Sequence, residues 1–445
     1  MTKNIYIIFV LLASILFSSC DSFLDIQPVG KVIPTTLAEY RALMTTAYKF
    51  NKFQDKVYCE MRTDEIIISD DPNDQSSYSA IEKWNDLNAP SGTATFGWSN
   101  YYSAIFYANS IIDKKDQITE GSKEDIEQLV GEAYLLRSYL HFILVNLYGQ
   151  PYTKDGALET KAIPLKLNVD LEEVPSRNTV KEVYTSILTD IQTARGLIHQ
   201  KEWESKYLYR FSALSVDAFE ARIHLYMGEW QKAYEIAERV LAQKSTLEDM
   251  NGEEEMLPNN FKSAEMITAY EFMFGASSNK ACLVAPSFLQ KYDNTDLRLT
   301  KYFKAPDENN NRISAKGGDD KFTCTFRTGE FYLNAAEAAA RLNKLSEART
   351  RLLQLMEKRY TPTGYDSKKN AVNTMNQATL INEILEERAR ELIFEGHRWF
   401  DLRRTTRPRI QKELGGNTYV LEQDDTRYTL RIPQEAIDAN PGLMN

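Results

Sequence analysis

AFEARIHLYMGEWQKAYEIAERVL (residues 218–241) and NAAEAAARLNKLSEARTRLLQLM (residues 334–356) are built on one plan. In the first, Ala221, Gly228 and Ala233 stand seven and five residues apart. In the second, Ala336, Asn343 and Ala348 keep that spacing, and Leu352, Leu355 and Met356 echo Ala237, Val240 and Leu241. Small residues let two helices approach closely, and Gly or Asn takes the left-handed turn between them. The spacing predicts tetratricopeptide-like pairs of antiparallel helices; two unrelated helical hairpins are the alternative. The expected fold class is mainly α, a scaffold of such pairs.

The same period extends outward. Val183, Tyr184, Ile187, Leu188, Ile191, Ala194, Leu197 and Ile198 line one helix face, and Thr179 with Glu182 forms a capping box at its start. Further helices are expected at Trp98–Asp113, Ile126–Tyr148, Thr179–His199 and Thr379–Phe394. Between them, Asp64–Gly97 and Ser245–Thr325 are rich in turn-formers (DDPNDQSSYS, PDENNNR, SAKGGDD) and read as long loops, where ligand contacts are expected.

The chain has 445 residues, 43% hydrophobic and 26% charged, within the globular range. Its net charge of −10 gives no support for nucleic-acid binding. Residues 1–19 read as a secretory signal: Lys3, an apolar run Ile5–Phe17, then Ser18 and Ser19 ahead of Cys20. Ser-Ser-Cys points to lipoprotein processing with Cys20 as the lipid-bearing residue, although Phe17 stands where Leu is usual. Residues 20–34 read as a tether, and 35–445 as a single domain. Cys59, Cys282 and Cys324 remain, with no disulfide framework or zinc spacing, so one bridge or buried thiols are open.

Chemistry leaves few traces. The four histidines, His141, His199, His224 and His397, form no HExxH pair, and no GxSxG, GxxxxGK[ST] or GxGxxG run occurs. No metal and no cofactor is expected. The many Asp and Glu residues leave a glycosidase-type carboxylate pair open, because its separation is spatial. Aromatic residues gather in the loops: Tyr78, Trp84, Trp98, Tyr101 and Tyr102, interleaved with Asn85, Asn88 and Asn100, and then Tyr292, Arg298, Tyr302 and Phe303. Rings that stack on a sugar face beside Asn and Arg suit a glycan, and would also suit a peptide. The ligand candidates are therefore Tyr78, Trp84, Asn85, Asn88, Trp98, Tyr101, Tyr292 and Arg298; for Trp98 and Tyr102 the buried side of a helix is the competing reading.

RARELIFEGHRWFDLRR (residues 388–404) reads as a structural motif. Gly396 can take a positive φ where a helix ends, letting Trp399 and Phe400 pack back. Asp401 is expected to meet Arg398, Arg403 or Arg404, and Glu391 and Glu395 to meet Arg388 and Arg398, with Arg390 in the same run. His397 has no nucleophile or metal ligand beside it and is not expected to be catalytic.

CDSFLDIQP, WSNYYSAIFYANSII, GEAYLLRSYLHFILVNLYGQPY, VPSRNTVKEVYTSILTDIQTA, the two repeat-like segments, RARELIFEGHRWFDLRR and IPQEAIDANP, in that order, resemble the SusD/RagB family of outer-membrane nutrient-binding lipoproteins. The resemblance implies a tetratricopeptide-like scaffold with a loop-rich, ligand-binding half. It also implies a non-catalytic, cell-surface glycan-binding role, with a SusC-like TonB-dependent transporter as partner that the protein caps as a hinged lid. A peptide-binding relative, a surface hydrolase and a pure docking scaffold are the alternatives. The chain departs from the resemblance in ending at NPGLMN and in its compact 245–325 loop.

Overall fold

The computed structural model describes residues 33–253 and 256–444. The signal segment, Cys20 and most of the tether lie outside the described residues. The longer helices are α1 (Leu37–Tyr48), α2 (Gln54–Met61), α3 (Pro72–Glu82), α4 (Ser99–Asp113), α5 (Lys123–Tyr148), α6 (Val180–Leu197), α7 (Ala213–Met227), α8 (Trp230–Gln243), α9 (Thr328–Arg341), α10 (Leu345–Glu357), α11 (Pro362–Thr374), α12 (Gln377–Leu392) and α13 (Arg398–Arg404). Short antiparallel pairs join β1 (Ile66–Ile68) to β3 (Cys282–Val284), β2 (Met266–Thr268) to β4 (Phe326–Arg327), and β5 (Ile410–Leu414) to β6 (Asn417–Leu421).

Local chemistry starts these helices where the residues allow. On α6 the Thr179 hydroxyl accepts the Glu182 N–H at 3.2 Å, while the Glu182 carboxylate accepts the Thr179 N–H at 2.7 Å. On α1, Thr36 and Glu39 do the same. Gly228, with φ +71°, turns α7 into α8, and Asn343, with φ +60°, turns α9 into α10. Packing runs in sequence through this set: α7 on α8, α8 on α9, and α9 on α10, so each helix face buries against the next.

Two expected loops carry more structure than their composition suggests. Within 64–97, Asp71 caps α3 by accepting the Asn73 N–H at 2.9 Å, and Pro72 opens the helix with a preset φ. Within 245–325, β2 and β3 pair with strands distant in sequence, so tertiary partners create order that turn-rich composition hides. Cys59, Cys282 and Cys324 are free thiols.

Candidate functional site

The charged run is buried. Glu391 pairs with Arg327 (2.8 Å), Arg359 (2.9 Å) and Arg298 (3.0 Å), all with at most 1% of the side chain exposed. Burial pushes the Glu391 carboxyl up, but the Arg359, Arg327 and Arg298 guanidiniums outweigh it and hold it well below the carboxylate range. Glu395 pairs with Arg327 at 2.7 Å and with Lys316, and Arg390 pairs with Glu387 and Glu383 at 2.7 Å each. Arg388 and Arg398, the expected partners of Glu391 and Glu395, go elsewhere. Arg388 meets Asp401 at 2.8 Å and Arg398 meets Asp64 at 2.8 Å. Asp401 also takes Arg404 at 2.7 Å, while Arg403 donates to the Asn146 carbonyl and, at 2.6 Å, to the Gly149 carbonyl, satisfying carbonyls at the end of α5. The physical reason for the different pairing is the reversal at Gly396 (φ +72°), which swings Arg398 away from α12 and toward Asp64.

His397 is buried, and desolvation together with Arg222, Arg388, Lys56 and Arg327 keeps its imidazole neutral far below the usual range. The void it lines with Gly396 and Phe400 holds about 10 Å³, room for one water and no substrate. Trp399 stacks on Tyr428 with centroids 5.0 Å apart and carries the Arg62 guanidinium 5.0 Å from its ring.

Most of the ligand candidates are core residues. The Trp84 indole is 1% exposed and donates to the Arg62 carbonyl at 3.0 Å. Trp98 packs edge-on against Tyr148, and Tyr101 donates its hydroxyl to the buried Asp55 carboxylate at 2.8 Å. The Tyr292 hydroxyl bonds the Arg390 carbonyl at 2.9 Å, and Arg298 is wholly consumed by Asp296, Glu387 and Glu391. These five are therefore corrected from ligand contacts to packing and pairing residues: large rings and a bidentate guanidinium in a turn-rich segment found partners inside the fold.

Tyr78, Asn85 and Asn88 keep access to solvent. Asn85 braces its own loop, donating to the Asn88 carbonyl at 3.0 Å, and leaves the Asn88 side chain exposed. Asn85 lines an open groove of about 620 Å³ between the 85–96 loop and residues 430–437, with Leu87, Thr93 and Phe96 on one wall and Arg431 and Glu435 on the other. Phe96 meets Tyr58 edge to face at 5.5 Å, and Tyr58 meets Tyr78 at 6.0 Å with rings tilted by 40°. The three half-buried rings thus form a faceted aromatic corner, not a flat platform, that reaches the groove through Phe96. Burial pushes the Tyr58 phenol up to about 12, so it is a neutral hydroxyl able to donate. Nothing in the residues around Tyr58 on α2 distinguishes it; only its contact with Phe96 marks it.

Comparisons with known proteins agree with this architecture. The SusD family model matches residues 219–445, and a model described as starch-binding and associating with the outer membrane matches residues 22–225. A SusD-like protein of Formosa agariphila is 26% identical over 91% of this chain and 92% of its own length, and a second from that organism is 23% identical over 99% of both. A SusD superfamily structure from Bacteroides thetaiotaomicron superposes with TM-score 0.77 at 22% identity, covering 92% of this chain and 98% of its own. A Bacteroides vulgatus structure described as a SusD-like carbohydrate binding protein gives 0.71 at 18% identity, over 92% and 97%. The chain belongs to the SusD family.

Proposed function

We propose that this protein is a non-catalytic, surface-exposed outer-membrane lipoprotein, acylated at Cys20, that captures an oligosaccharide in the groove between residues 85–96 and 430–437. In this reading residues 35–445 work as one domain and pass the ligand to a SusC-like TonB-dependent transporter, which they cap as a hinged lid. The observation that carries the glycan reading is the groove itself. Arg431 offers donors, Glu435 acceptors and Gln434 both, beside Leu87 and the Phe96 ring that ends the Tyr58–Tyr78–Phe96 corner. Such alternation of apolar faces and hydrogen-bonding groups matches the two faces of a sugar ring. The description of the Bacteroides vulgatus relative as carbohydrate binding adds family-level support. Handover requires moderate affinity, because a ligand that never leaves would stall transfer.

Incubating the purified full-length protein with glycan and peptide arrays, followed by mass analysis of the bound ligand, tests this. Retention of a defined glycan at unchanged mass is expected. Shortened products would favour a hydrolase, and peptide-only retention the peptide-binding alternative. Co-expression with a SusC-like transporter and co-purification tests the partner; a stable complex is expected, and its absence would remove the lid role.

A further inference from the structure

The loop joining α6 to α7 carries Trp203, Tyr207, Tyr209 and Arg210. Its ends are tied to one buried side chain, Gln128 of α5, whose carbonyl accepts the His199 and Gln200 N–H groups at 2.9 Å each. The Gln128 amide then donates to the Phe211 carbonyl at 3.3 Å, and the Trp203 indole N–H closes on that same carbonyl at 2.9 Å. The loop is fixed in shape, yet its three aromatic side chains stay half-exposed; Tyr209 leans edge-on against buried Tyr48 at 5.4 Å, while Trp203 and Tyr207 turn outward from the core.

They enclose a guanidinium. The Arg210 Cζ lies 4.2 Å from the Tyr207 ring, 5.3 Å from Trp203 and 5.5 Å from Tyr209. Among the described residues its side chain makes one hydrogen bond, from Nε to the Tyr209 hydroxyl at 3.3 Å, and no ion pair. The terminal N–H groups of a planar, aromatic-clamped fork are therefore free for an external acceptor. Trp203 lines two clefts, of about 560 and 240 Å³, and Arg210 lines the larger together with Glu120, Glu124 and Asp125.

We propose that this loop is a second oligosaccharide-binding site, specific for neutral sugar chains. Trp203 stacks on a ring's apolar face, Arg210 donates to adjacent hydroxyls, and Glu124 and Asp125 accept from others. Glu120, Glu124 and Asp125 outnumber the Arg41 and Arg210 guanidiniums that line the same cleft, so its net charge disfavours uronate-bearing chains. The site shares no lining residue with the groove at residues 85–96, so it is a separate place on the molecule. It rests on the glycan reading above, and two weak sites on one protein increase the hold on a long polysaccharide.

Calorimetric titration of the full-length protein with hexasaccharides from starch, β-glucan, mannan and xylan, and with an oligogalacturonate, tests the proposal. One neutral series is expected to bind at two sites. Trp203→Ala removes one of them and Arg210→Met weakens the same one by about tenfold, with Tm retained. Because Arg210 lies at the surface, its variant reports even where the tryptophan variant fails to fold. A neutral ligand bound equally by the wild type and the Arg210 variant, or dependence on Arg210 for the oligogalacturonate alone, overturns the second site and leaves the glycan reading standing. No binding by any member of the panel overturns both.

Discussion

Arg298 and Glu391 meet at 3.0 Å with neither side chain exposed to solvent. Turn-rich sequence around Arg298 suggests a ligand contact and the run around Glu391 a structural motif, and the structure joins the two in one buried network with Arg327 and Arg359. Removing a single partner from such a network leaves the remaining charges unpaired in a low-dielectric interior, which costs about 3–5 kcal/mol. Glu391→Gln is therefore expected to lower Tm sharply, measured by calorimetry. The folded fraction should bind glycan with unchanged affinity; a selective loss of binding with intact Tm would contradict this assignment.

Gly396→Ala is expected to destabilise for two independent reasons. Its φ of +72° disfavours any side chain, and a Cβ there would stand 2.5 Å from the Lys56 Cε and 2.8 Å from the Met273 Sδ. A loss of about 1–3 kcal/mol in denaturant unfolding is predicted. An unchanged midpoint would mean that the turn tolerates a side chain.

The fully buried Glu60 and Glu65 give a pH signature. Burial raises both carboxyls, and the Glu60 charge raises Glu65 further, so both titrate above the carboxylate range in the folded state. The folded protein then holds protons that the unfolded chain has released, since unfolded Glu ionises near pH ~4.3. The stability from this pair is complete below that pH and is lost as pH rises through the folded values, which for Glu60 lie at about 7. Tm should fall by about 2–4 °C more between pH 5.5 and 8.5 in the wild type than in Glu65→Gln. Equal slopes in the two proteins would remove the pair as the cause.

The half-exposed rings beside the groove should separate binding from folding. Tyr78→Ala is expected to weaken glycan binding by about tenfold, near 1.4 kcal/mol, with little change in Tm. Trp84→Ala should instead lower Tm, because its indole is a 1% exposed core ring. A Trp84 variant that folds normally but loses binding would reverse these roles.

Legibility in the sequence followed the range of each interaction. The Thr179–Glu182 box, the Gly228 and Asn343 turns and the positive φ at Gly396 are local, decided within a few residues, and each was readable. The partners of Glu391 come from residues 32 to 93 positions away, and no short-range pattern announces them. Arg298 and Tyr292 looked exposed because turn-rich sequence usually is, whereas tertiary contacts drew both inward. Tyr58 gave no signal, since its role depends on Phe96 arriving from another segment. Of the ligand candidates, Tyr78 on α3 and Asn85 and Asn88 in the turn after it keep access to solvent, while Trp84 between them is buried, a difference set by tertiary packing and not by local sequence.

Crystals of the full-length protein soaked with the oligosaccharide it binds test the central claim most directly. Ligand density is expected between residues 85–96 and 430–437, touching Arg431 and Glu435 and lying against Phe96 at the edge of the aromatic corner. An empty groove, with the ligand seated elsewhere on the molecule, would contradict it.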